Sequence, residues 1–316
     1  MLSYINYLLH SVKTPNIKDY LDMGFGIGAR YERCKKFWGQ HIRLCKEVQN
    51  EALLSISSQA EILVLGAGRL IDLDLRAIFK NSSSVTFVDI DPSCQKFWRK
   101  AVKENRFLGK FNSHIVDISG SIQSWTEEFS IFISRKPAKE KIAEFLGSLK
   151  TSPGFATKLE NKKNSIVISQ NLLGQLGVYW RDRVYDILDQ AGYLIKNQED
   201  PYTIEIRAGL EASVKALELQ HLNSLIESSA SKILLITDIF YYYYRNNEAH
   251  WQVEQALRVG DVVEMKSFFT NAGYLLKSKK SWLWHIAPQG IEQKEYGSIH
   301  EVHAFEFSTA RNENIK

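Results

Sequence analysis

The stretch EILVLGAGRL, residues 61–70, decides the fold together with SVTFVDID, residues 84–91. In the first stretch a short apolar run ends in a glycine-containing turn, and the segment after the turn has the pattern of a helix. In the second, a Val-containing run ends in Asp89, 23 residues after Gly66. A strand, a turn and a helix followed by a second strand predict a parallel α/β sheet, in which ligands bind at the carboxyl ends of strands.

Three further apolar runs extend this sheet. They are SHIVDI at 113–118, SIVISQ at 165–170 and KILLITDI at 232–239. Short runs rich in Val and Ile are typical of strands that helices cover on both faces. Near the end of the sequence, SWLWHIAP at 281–288 and IHEVHAFEF at 299–307 are separated by a polar, glycine-containing loop, which predicts a hairpin.

The remaining segments predict helices around the sheet. Two connections, near 119–164 and 171–231, are longer than a crossover needs and carry helical patterns, so we predict helical insertions there. Residues 1–58 are predicted to form a helical N-terminal extension that packs over the ligand cleft. Its apolar stripe comprises Tyr31, Cys34, Trp38, Ile42 and Cys45. We therefore predict this extension followed by one α/β domain at 59–316, although 316 residues would also fit two average domains.

Composition and charge exclude several classes of protein. With 44% hydrophobic and 24% charged residues, the sequence is neither disordered nor of low complexity. A formal net charge of +4 permits a nucleic-acid partner without requiring one. The three cysteines show no C-x-x-C spacing, which predicts neither a disulfide framework nor a zinc site. Because no apolar run is long enough to span a membrane and no targeting segment is evident, we expect a cytoplasmic protein without a membrane partner.

Two glycine-rich segments compete for the ligand turn. DMGFGIG at 22–28 has no strand before it, so we predict that it leads into the first helix. The turn at 66–68 has a strand before it and a helix after it. A dinucleotide fingerprint would place Gly or Ala at position 71, where helix and strand pack closely around a pyrophosphate. Ile71 stands there, which favours S-adenosylmethionine, a nucleoside ligand without phosphates, over NAD.

The order of motifs resembles that of a known superfamily. VLGAGRLIDLDL, TFVDIDPSC, HIVDIS, ISQNLLGQL and KILLITDI, followed by the hairpin, resemble the class I S-adenosylmethionine-dependent methyltransferases over roughly residues 60–307. GARYERCKKFWGQHIRLC, GAGRLIDLDL, NLLGQL, HLNSL and HIAPQG together look like a bacterial branch of methyltransferase-like proteins. The resemblance implies a Rossmann-like fold with a mostly parallel seven-stranded sheet in the order 3-2-1-4-5-7-6. Its last strand would be antiparallel, with helices on both faces of the sheet.

The resemblance also implies a cofactor site. The residues it implies are Gly66, Ala67, Gly68, Asp89, Ile90, Asp117, Ile118 and Asn171. Asp89 would hold the ribose hydroxyls, and Asp117 would accept the adenine amino group. Each of these two acids also has an alternative interpretation as a helix cap or turn former. Leu65 stands where the superfamily commonly has an acid, so a contact to the methionine amino group is expected from elsewhere, from Asn171 or the extension.

Catalytic residues are less clearly marked. ISQNLLGQL lacks the N/D-P-P-Y pattern of enzymes that methylate exocyclic amines of nucleic acids. Asn171 is a candidate because it ends the fourth strand. His221 is a candidate general base, with a buried histidine bonded to backbone as the alternative. His300 and His303 are offset by three in a strand and so face opposite sides, and we predict no metal site.

Tyrosines and basic residues mark the candidate surfaces for a partner. Tyr241, Tyr242 and Tyr179 are candidates for the substrate pocket, the first two in a run expected to follow the fifth strand; loop packing is the alternative. The basic residues of the extension are Arg30, Arg33, Lys36, Arg43 and Lys46. They form either a solvated face or a surface for RNA or an acidic substrate.

The sequence therefore predicts an S-adenosylmethionine-dependent methyltransferase that acts by direct displacement. Its methyl acceptor is unidentified and is more in keeping with a small molecule than with nucleic acid. A non-catalytic S-adenosylmethionine-binding protein is the main alternative, because no catalytic signature is evident. An NAD(P)-dependent oxidoreductase is less favoured because of Ile71.

Overall fold

The computed structural model describes residues 18–54, 56, 59–155, 164–193, 201–245 and 252–309. Residues 1–17 of the predicted extension lie outside the described residues. The helices are α1 (Lys18–Leu54), α2 (Leu75–Lys80), α3 (Gln95–Glu104), α4 (Ile122–Ser134), α5 (Lys139–Ser148), α6 (Leu173–Gln190), α7 (Pro201–Glu227) and α8 (Val262–Asn271). The strands are β1 (Ala60–Leu65), β2 (Ser82–Asp89), β3 (Lys110–Ile115), β4 (Ser165–Gln170), β5 (Lys232–Tyr244), β6 (Gln252–Gln255), β7 (Tyr274–Ala287) and β8 (Gly297–Thr309).

The strands form one sheet in the order β3-β2-β1-β4-β5-β8-β7. Strands β1 to β5 pair with one another in parallel, whereas β8 is antiparallel to both of its neighbours. Counted without the short β6, this is the order 3-2-1-4-5-7-6, and the predicted fold is confirmed. The difference is an eighth strand, because β6 pairs with the outer end of β5.

Two strand boundaries differ from the prediction. The third strand begins three residues earlier than predicted, so Asp117 lies in the turn after β3 and not at its end. At the edge of the sheet β3 pairs only with β2, and its partly exposed sequence KFNSHI lacks the apolar run of a buried strand. The fifth strand continues through Tyr244, because β6 and β8 pair with its last residues from both sides. Tyr241 to Tyr244 therefore belong to β5 and do not follow it.

Side chains alternate between the two faces of the sheet and bury both of them. In β1, Ile62 and Val64 pack into the cluster that contains α1, α2 and α3. Leu63 and Leu65 pack on the opposite face with residues of α7 and α8. A third apolar cluster joins α4, α5, α6 and α7 around Trp180, so both long connections contribute packed helices.

Helix α1 packs against strand β7 through an aromatic layer. The indole Nε1 of Trp38 donates to the carbonyl oxygen of Ile286 at 3.0 Å, and the Trp38 ring meets Trp284 edge-on at 4.8 Å. Cys34 and Cys45 are fully buried, which confirms the predicted apolar stripe. Residues 22–28 lie within α1 and do not precede it, so the prediction that this glycine segment leads into the first helix is wrong. Among the described helices, none combines the length and the apolar character that crossing a membrane requires.

Candidate functional site

A cleft of about 530 Å³ opens where the parallel strands end, a volume typical of small-molecule sites. Two halves of its lining can be distinguished by composition. The donor half comprises residues 66–69, 71–72, 89–91, 94 and 170–171. The aromatic half comprises Trp38, Tyr241, Tyr243, Trp284, Tyr296 and His300. Helix α1 contributes to the wall, so the predicted extension takes part in the cleft.

The glycine turn forms the floor of the donor half. Gly66 and Gly68 both have positive φ, +74° and +48°, which side chains disfavour. A Cβ at Gly66 would lie 2.8 Å from the carbonyl oxygen of Gln170. The N–H groups of Gly66 and Ala67 both donate to the carbonyl oxygen of Val88, which fixes the turn against the end of β2. A ligand can therefore approach the backbone of this turn closely.

Asp89 ends β2 beside this turn. Its Oδ2 accepts the N–H of Gly68 at 2.8 Å, and its Oδ1 accepts the N–H of Asp91 at 3.0 Å. Burial raises the pKa of Asp89 above its ordinary value, although these N–H donors act in the opposite direction. A carboxylate offers about four acceptor positions, so two remain for ligand hydroxyls. Asp91 instead caps the following turn by accepting the N–H of Ser93.

Asp72 is a site residue that the sequence reasoning missed. Its Oδ2 accepts Gln170 Nε2 at 2.7 Å and Asn171 Nδ2 at 2.9 Å. Burial alone would raise the pKa of Asp72, but the interactions with His41 and Gln170 outweigh it and hold the pKa below its ordinary value. The side chain is therefore an ionised carboxylate beside the end of β4, and it lines the cleft.

Gln49 of α1 fixes the position of Asp72. Its Nε2 donates to the backbone oxygen of Asp72 at 3.0 Å and to Gln170 Oε1 at 2.9 Å. Its Oε1 accepts the N–H of Asp74 at 2.7 Å. A fully buried amide thus joins α1, the segment after the glycine turn and the end of β4. The donor half depends on α1 for its geometry.

Asn171 lines the cleft in a left-handed backbone conformation, with φ of +47°. Its backbone N–H donates to the carbonyl oxygen of Ile236, which holds the residue at the carboxyl edge of β4. Its Oδ1 is buried and has no partner among the described residues. A buried amide oxygen without a donor is costly, so a ligand N–H fits this position.

His41, Cys45 and Asp72 each place a potential metal-binding atom within 4.8 Å of the others. Their hydrogen bonds do not favour a metal. Trp282 Nε1 donates to His41 Nδ1 at 3.0 Å, which assigns the imidazole proton to Nε2, the nitrogen nearer to Asp72. Burial raises the pKa of Cys45 well above its ordinary value and keeps it a thiol. The absence of a metal site stays a prediction.

A buried carboxylate outside the cleft lining, Asp238, pairs with His300 of the aromatic half. Asp238 Oδ2 lies 3.1 Å from His300 Nδ1 and accepts Gln175 Nε2 at 3.2 Å. The ring of Tyr241 lies against that of His300, with centroids 4.4 Å apart. Tyr241 lines the cleft, and its contact with a substrate stays a prediction. In the sequence His300 is recognisable only as a possible metal ligand, because nothing in the local pattern pairs it with a residue 62 positions away.

Comparisons with known proteins gave matches of low similarity. No family model and no curated protein matches the chain. Among solved structures, a proposed RNA methyltransferase from Pyrococcus horikoshii is similar, with 13% identity, TM-score 0.42 and coverage of 86% of this chain and 84% of that one. A proposed methyltransferase from Bacillus halodurans has 8% identity, TM-score 0.41 and coverage of 83% and 97%. An S-adenosylmethionine-dependent methyltransferase from Clostridium acetobutylicum has 8% identity, TM-score 0.36 and coverage of 88% and 92%.

The strand order and the glycine turn give the chain the class I methyltransferase fold. The donor half of the cleft lies at the glycine turn, and the aromatic half lies beside it.

Asp117 and Ile118 are not part of the cleft lining. Asp117 Oδ1 accepts the N–H and the hydroxyl of Ser119, and its Oδ2 accepts the N–H of Gln123 near the start of α4. These are the turn and capping contacts that the sequence allowed as an alternative. One acceptor position remains on Oδ2. The adenine contact of Asp117 stays a prediction.

Three other candidates lie outside the cleft lining. Tyr179 packs in the helical cluster around Trp180. Tyr242 lies between two cleft-lining tyrosines of β5, and strand alternation turns it to the other face, where its hydroxyl donates to Glu301 at 2.6 Å. His221 is buried in α7, with Nε2 2.9 Å from Ser169 Oγ. These contacts favour structural roles for all three residues.

Burial of His221 makes stability depend on pH. Desolvation lowers its pKa to about 4, whereas in the unfolded chain the pKa is near 6.5. The unfolded state therefore binds the proton more readily, and stability falls as the pH decreases from 6.5 to 4. We expect this group alone to cost about 2–3 kcal/mol at pH 4. In urea unfolding, the free energy of unfolding of His221→Gln should decrease less between pH 6.5 and pH 4 than that of the wild type. The control His285→Gln, at an exposed position, should behave as the wild type. The same pH dependence in all three proteins would contradict the prediction.

The basic face of α1 is largely neutralised by carboxylates. Arg33 makes a bidentate ion pair with Glu292, in which Nε donates to Oε1 at 2.6 Å and Nη2 donates to Oε2 at 2.9 Å. Arg30 Nε donates to the same carboxylate at 3.3 Å, and Arg43 pairs with Glu47. The hydrogen bond from Arg33 holds the pKa of Glu292 below its ordinary value. Arg30 and Arg33 thus fasten α1 to the β7–β8 loop beside the cleft, and all three arginines offer little to phosphates.

Proposed function

We propose that the protein is an S-adenosylmethionine-dependent methyltransferase that acts on a small-molecule acceptor. One observation carries the proposal: two carboxylates, Asp89 and Asp72, lie in the same cleft as a glycine turn with positive φ. The ligand that this combination fits has vicinal hydroxyls at one end and an ammonium group at the other. S-adenosylmethionine has both, and it has no phosphate that would need a cationic cradle.

The residues of the donor half fit this methyl donor in four respects. Asp89 has two acceptor positions left for the ribose hydroxyls. The Gly66–Gly68 backbone permits close approach of the ribose and methionine. Asp72, ionised and held by two amides, attracts the α-ammonium group. The unpartnered Asn171 Oδ1 accepts one of its N–H groups.

The adenine contacts extend the proposal beyond the cleft lining. Ile90 lines the cleft next to Asp89 and would contact the adenine face. Asp117 would use its remaining acceptor position for the adenine amino group, with Ile118 beside it. Together these residues follow the carboxyl ends of β2 and β3, where open α/β sheets bind ligands.

The protein's part in the reaction is to align two ligands and exclude water. S-adenosylmethionine supplies a methyl group on a sulfonium, which a nucleophile displaces directly. The donor half holds the sulfonium ligand, and the adjoining aromatic half holds the nucleophile. Holding reactants in line removes much of the entropic barrier to such a reaction. Helix α1, fastened through Arg33 and Glu292, covers the cleft and limits access of water.

A small molecule is the favoured class of methyl acceptor over RNA. The aromatic half is lined by rings, three of which, Trp38, Tyr241 and Trp284, are at most 7% exposed. The arginines of α1 nearest to the cleft are engaged by Glu292. An RNA surface instead needs cations available to phosphates. The three buried free thiols are in keeping with the reducing cytoplasm, where we propose that the protein acts.

Calorimetry with S-adenosylmethionine and S-adenosylhomocysteine tests the proposal. We expect both to bind in one site, and methyl label from S-adenosylmethionine to enter a small molecule in fractionated cell extract. Binding of neither ligand at millimolar concentration would overturn the proposal. Binding without any methylated product in the small-molecule, RNA and protein fractions would show a non-catalytic binding protein.

Asp72→Asn is expected to weaken S-adenosylmethionine binding tenfold to hundredfold. The substitution keeps the size of the side chain but removes the charge that attracts the ammonium group. A hydrogen bond between charged groups contributes about 1.5–3 kcal/mol. The matched ligand is 5′-methylthioadenosine, which has the nucleoside and no amino-acid group. Its affinity should be the same for the wild type and the variant by calorimetry. An equal loss for both ligands would place Asp72 elsewhere than at the ammonium group.

A further inference from the structure

The aromatic half of the cleft contains a polarised histidine that cofactor binding does not use. Asp238 is 1% exposed, and its Oδ2 accepts a hydrogen bond from His300 Nδ1 at 3.1 Å. Gln175 Nε2 donates to the same oxygen and so fixes the carboxylate. Because Nδ1 donates its proton to the carboxylate, the lone pair of the neutral imidazole is on Nε2. No described group is bonded to Nε2, and His300 lines the cleft.

The rings around His300 form an aromatic wall of the cleft. Trp284 meets the imidazole edge-on, with centroids 5.6 Å apart, and Tyr241 lies on it at 4.4 Å. Tyr243 and Tyr296 pack edge-to-face at 5.8 Å and also line the cleft. Aromatic surfaces of this kind bind planar rings by offset and edge-on stacking.

Two buried donors in this half lack partners. The hydroxyl of Tyr241 and Nε1 of Trp284 are both buried without a hydrogen bond among the described residues. Both belong to side chains that are more than nine-tenths buried and line the cleft. Buried donors are almost always satisfied, and oxygen atoms of a ligand would supply the acceptors that these two lack. A planar ring that carries oxygen would suit both the rings and these donors.

We propose that the methyl acceptor is an aromatic hydroxyl compound and that His300 is its general base, positioned by Asp238. This inference rests on the proposed methyltransferase function. The O–H bond of the phenol breaks, and its proton passes to His300 Nε2. The oxygen lone pair forms the new O–C bond while the C–S bond of S-adenosylmethionine breaks with its electron pair on sulfur. The products are the methyl ether, neutral S-adenosylhomocysteine and a proton that the imidazolium releases to water.

The need for a base favours a phenol over other methyl acceptors. A neutral amine attacks with its own lone pair and needs no prior loss of a proton. A phenol has a pKa of about 10, which is within reach of an imidazole in a proton transfer. An aliphatic alcohol is far less acidic and would leave the histidine poorly matched. The polarised imidazole and the aromatic lining thus indicate the same class of compound.

A binding experiment separates this inference from methyl transfer itself. 4-Nitrophenol is colourless when neutral and yellow as the phenolate, so absorbance reports transfer of its proton. At about pH 6, with S-adenosylhomocysteine bound, we expect the wild-type protein to bind 4-nitrophenol and turn it yellow. His300→Gln should bind 4-nitrophenol without the colour. The control is His303→Gln on the same strand. The imidazole of His303 is hydrogen-bonded to Glu301 at 2.7 Å and is absent from the cleft lining.

Transfer of labelled methyl to simple phenols, catechol first, gives the second readout. His300→Gln should lower kcat by about 10²- to 10⁴-fold and leave the affinity for S-adenosylmethionine unchanged. Asp238→Asn should lower kcat without raising the KM for the phenol, because its amide can donate to Nδ1 and move the proton to Nε2. His303→Gln should retain the wild-type rate. A merely structural role for Asp238 would instead change both kcat and KM.

Three outcomes would overturn the inference. The first is a wild-type protein that binds S-adenosylmethionine but neither binds nor methylates any of the phenols. The second is methylation of amines or RNA in preference to phenols. The third is full activity of His300→Gln. Loss of S-adenosylmethionine binding by the wild-type protein would refute the proposed function itself, so the two failures are distinguishable.

Discussion

Asp89→Ala is expected to weaken S-adenosylmethionine binding by two to four orders of magnitude in calorimetry. The N–H of Gly68 donates to Oδ2 of Asp89 and the N–H of Asp91 donates to Oδ1. One acceptor position on each oxygen therefore remains for a ribose hydroxyl. Hydrogen bonds to a charged group contribute about 1.5–3 kcal/mol each, so the loss of two corresponds to about 3–6 kcal/mol. 5′-Methylthioadenosine carries the same ribose, so Asp89→Ala should weaken its binding equally. Asp72→Asn, in contrast, should leave its affinity unchanged.

A matched control separates loss of the contact from loss of charge. Asp189 is an exposed acid on α6, outside the cleft lining, and Asp189→Asn should bind S-adenosylmethionine as tightly as the wild type. The fold of Asp89→Ala should persist, because water in the cleft can accept the N–H groups of Gly68 and Asp91. Unchanged affinity in a folded Asp89→Ala protein would refute the assignment of the ribose site.

Gly66→Ala is expected to destabilise the fold and abolish measurable cofactor binding. Two costs coincide at this position. An L-residue at φ of +74° is strained by about 1–2 kcal/mol, and the new Cβ would lie 2.8 Å from the carbonyl oxygen of Gln170, a backbone atom that cannot turn aside. Overpacking of this kind typically adds about 1–3 kcal/mol. Urea unfolding should therefore show a loss of about 2–5 kcal/mol.

Gly192→Ala isolates the backbone strain from the steric clash. Gly192 has φ of +82°, but nothing lies within 4 Å of the position of its Cβ. We expect this variant to lose only the strain energy and to bind S-adenosylmethionine normally. If Gly66→Ala were no less stable than Gly192→Ala and still bound the ligand, the close approach of β1 and β4 at the turn would not matter for the site.

The turn and the strands around it could be predicted because they depend on local sequence. The apolar runs of β1, β2 and β4 are short and bounded by turns, so each is recognisable without knowledge of its neighbours. The boundary of β3 was misplaced because an edge strand lacks the apolar pattern of buried strands. The length of β5 was underestimated because pairing with β6 and β8 extends it, and pairing partners are distant in sequence.

For the site, sequence alone determined that a glycine turn and Asp89 lie at adjacent strand ends, because parallel strands bring their carboxyl ends to one edge of a sheet. Only the tertiary structure decided the rest. Asp72 meets Asn171, and His300 meets Asp238, across 99 and 62 residues. Gln49 reaches Asp72 because α1 packs on β7 and not because of any motif in either segment. Such pairings depend on how distant elements bury their apolar faces, and periodicity within one element cannot specify them.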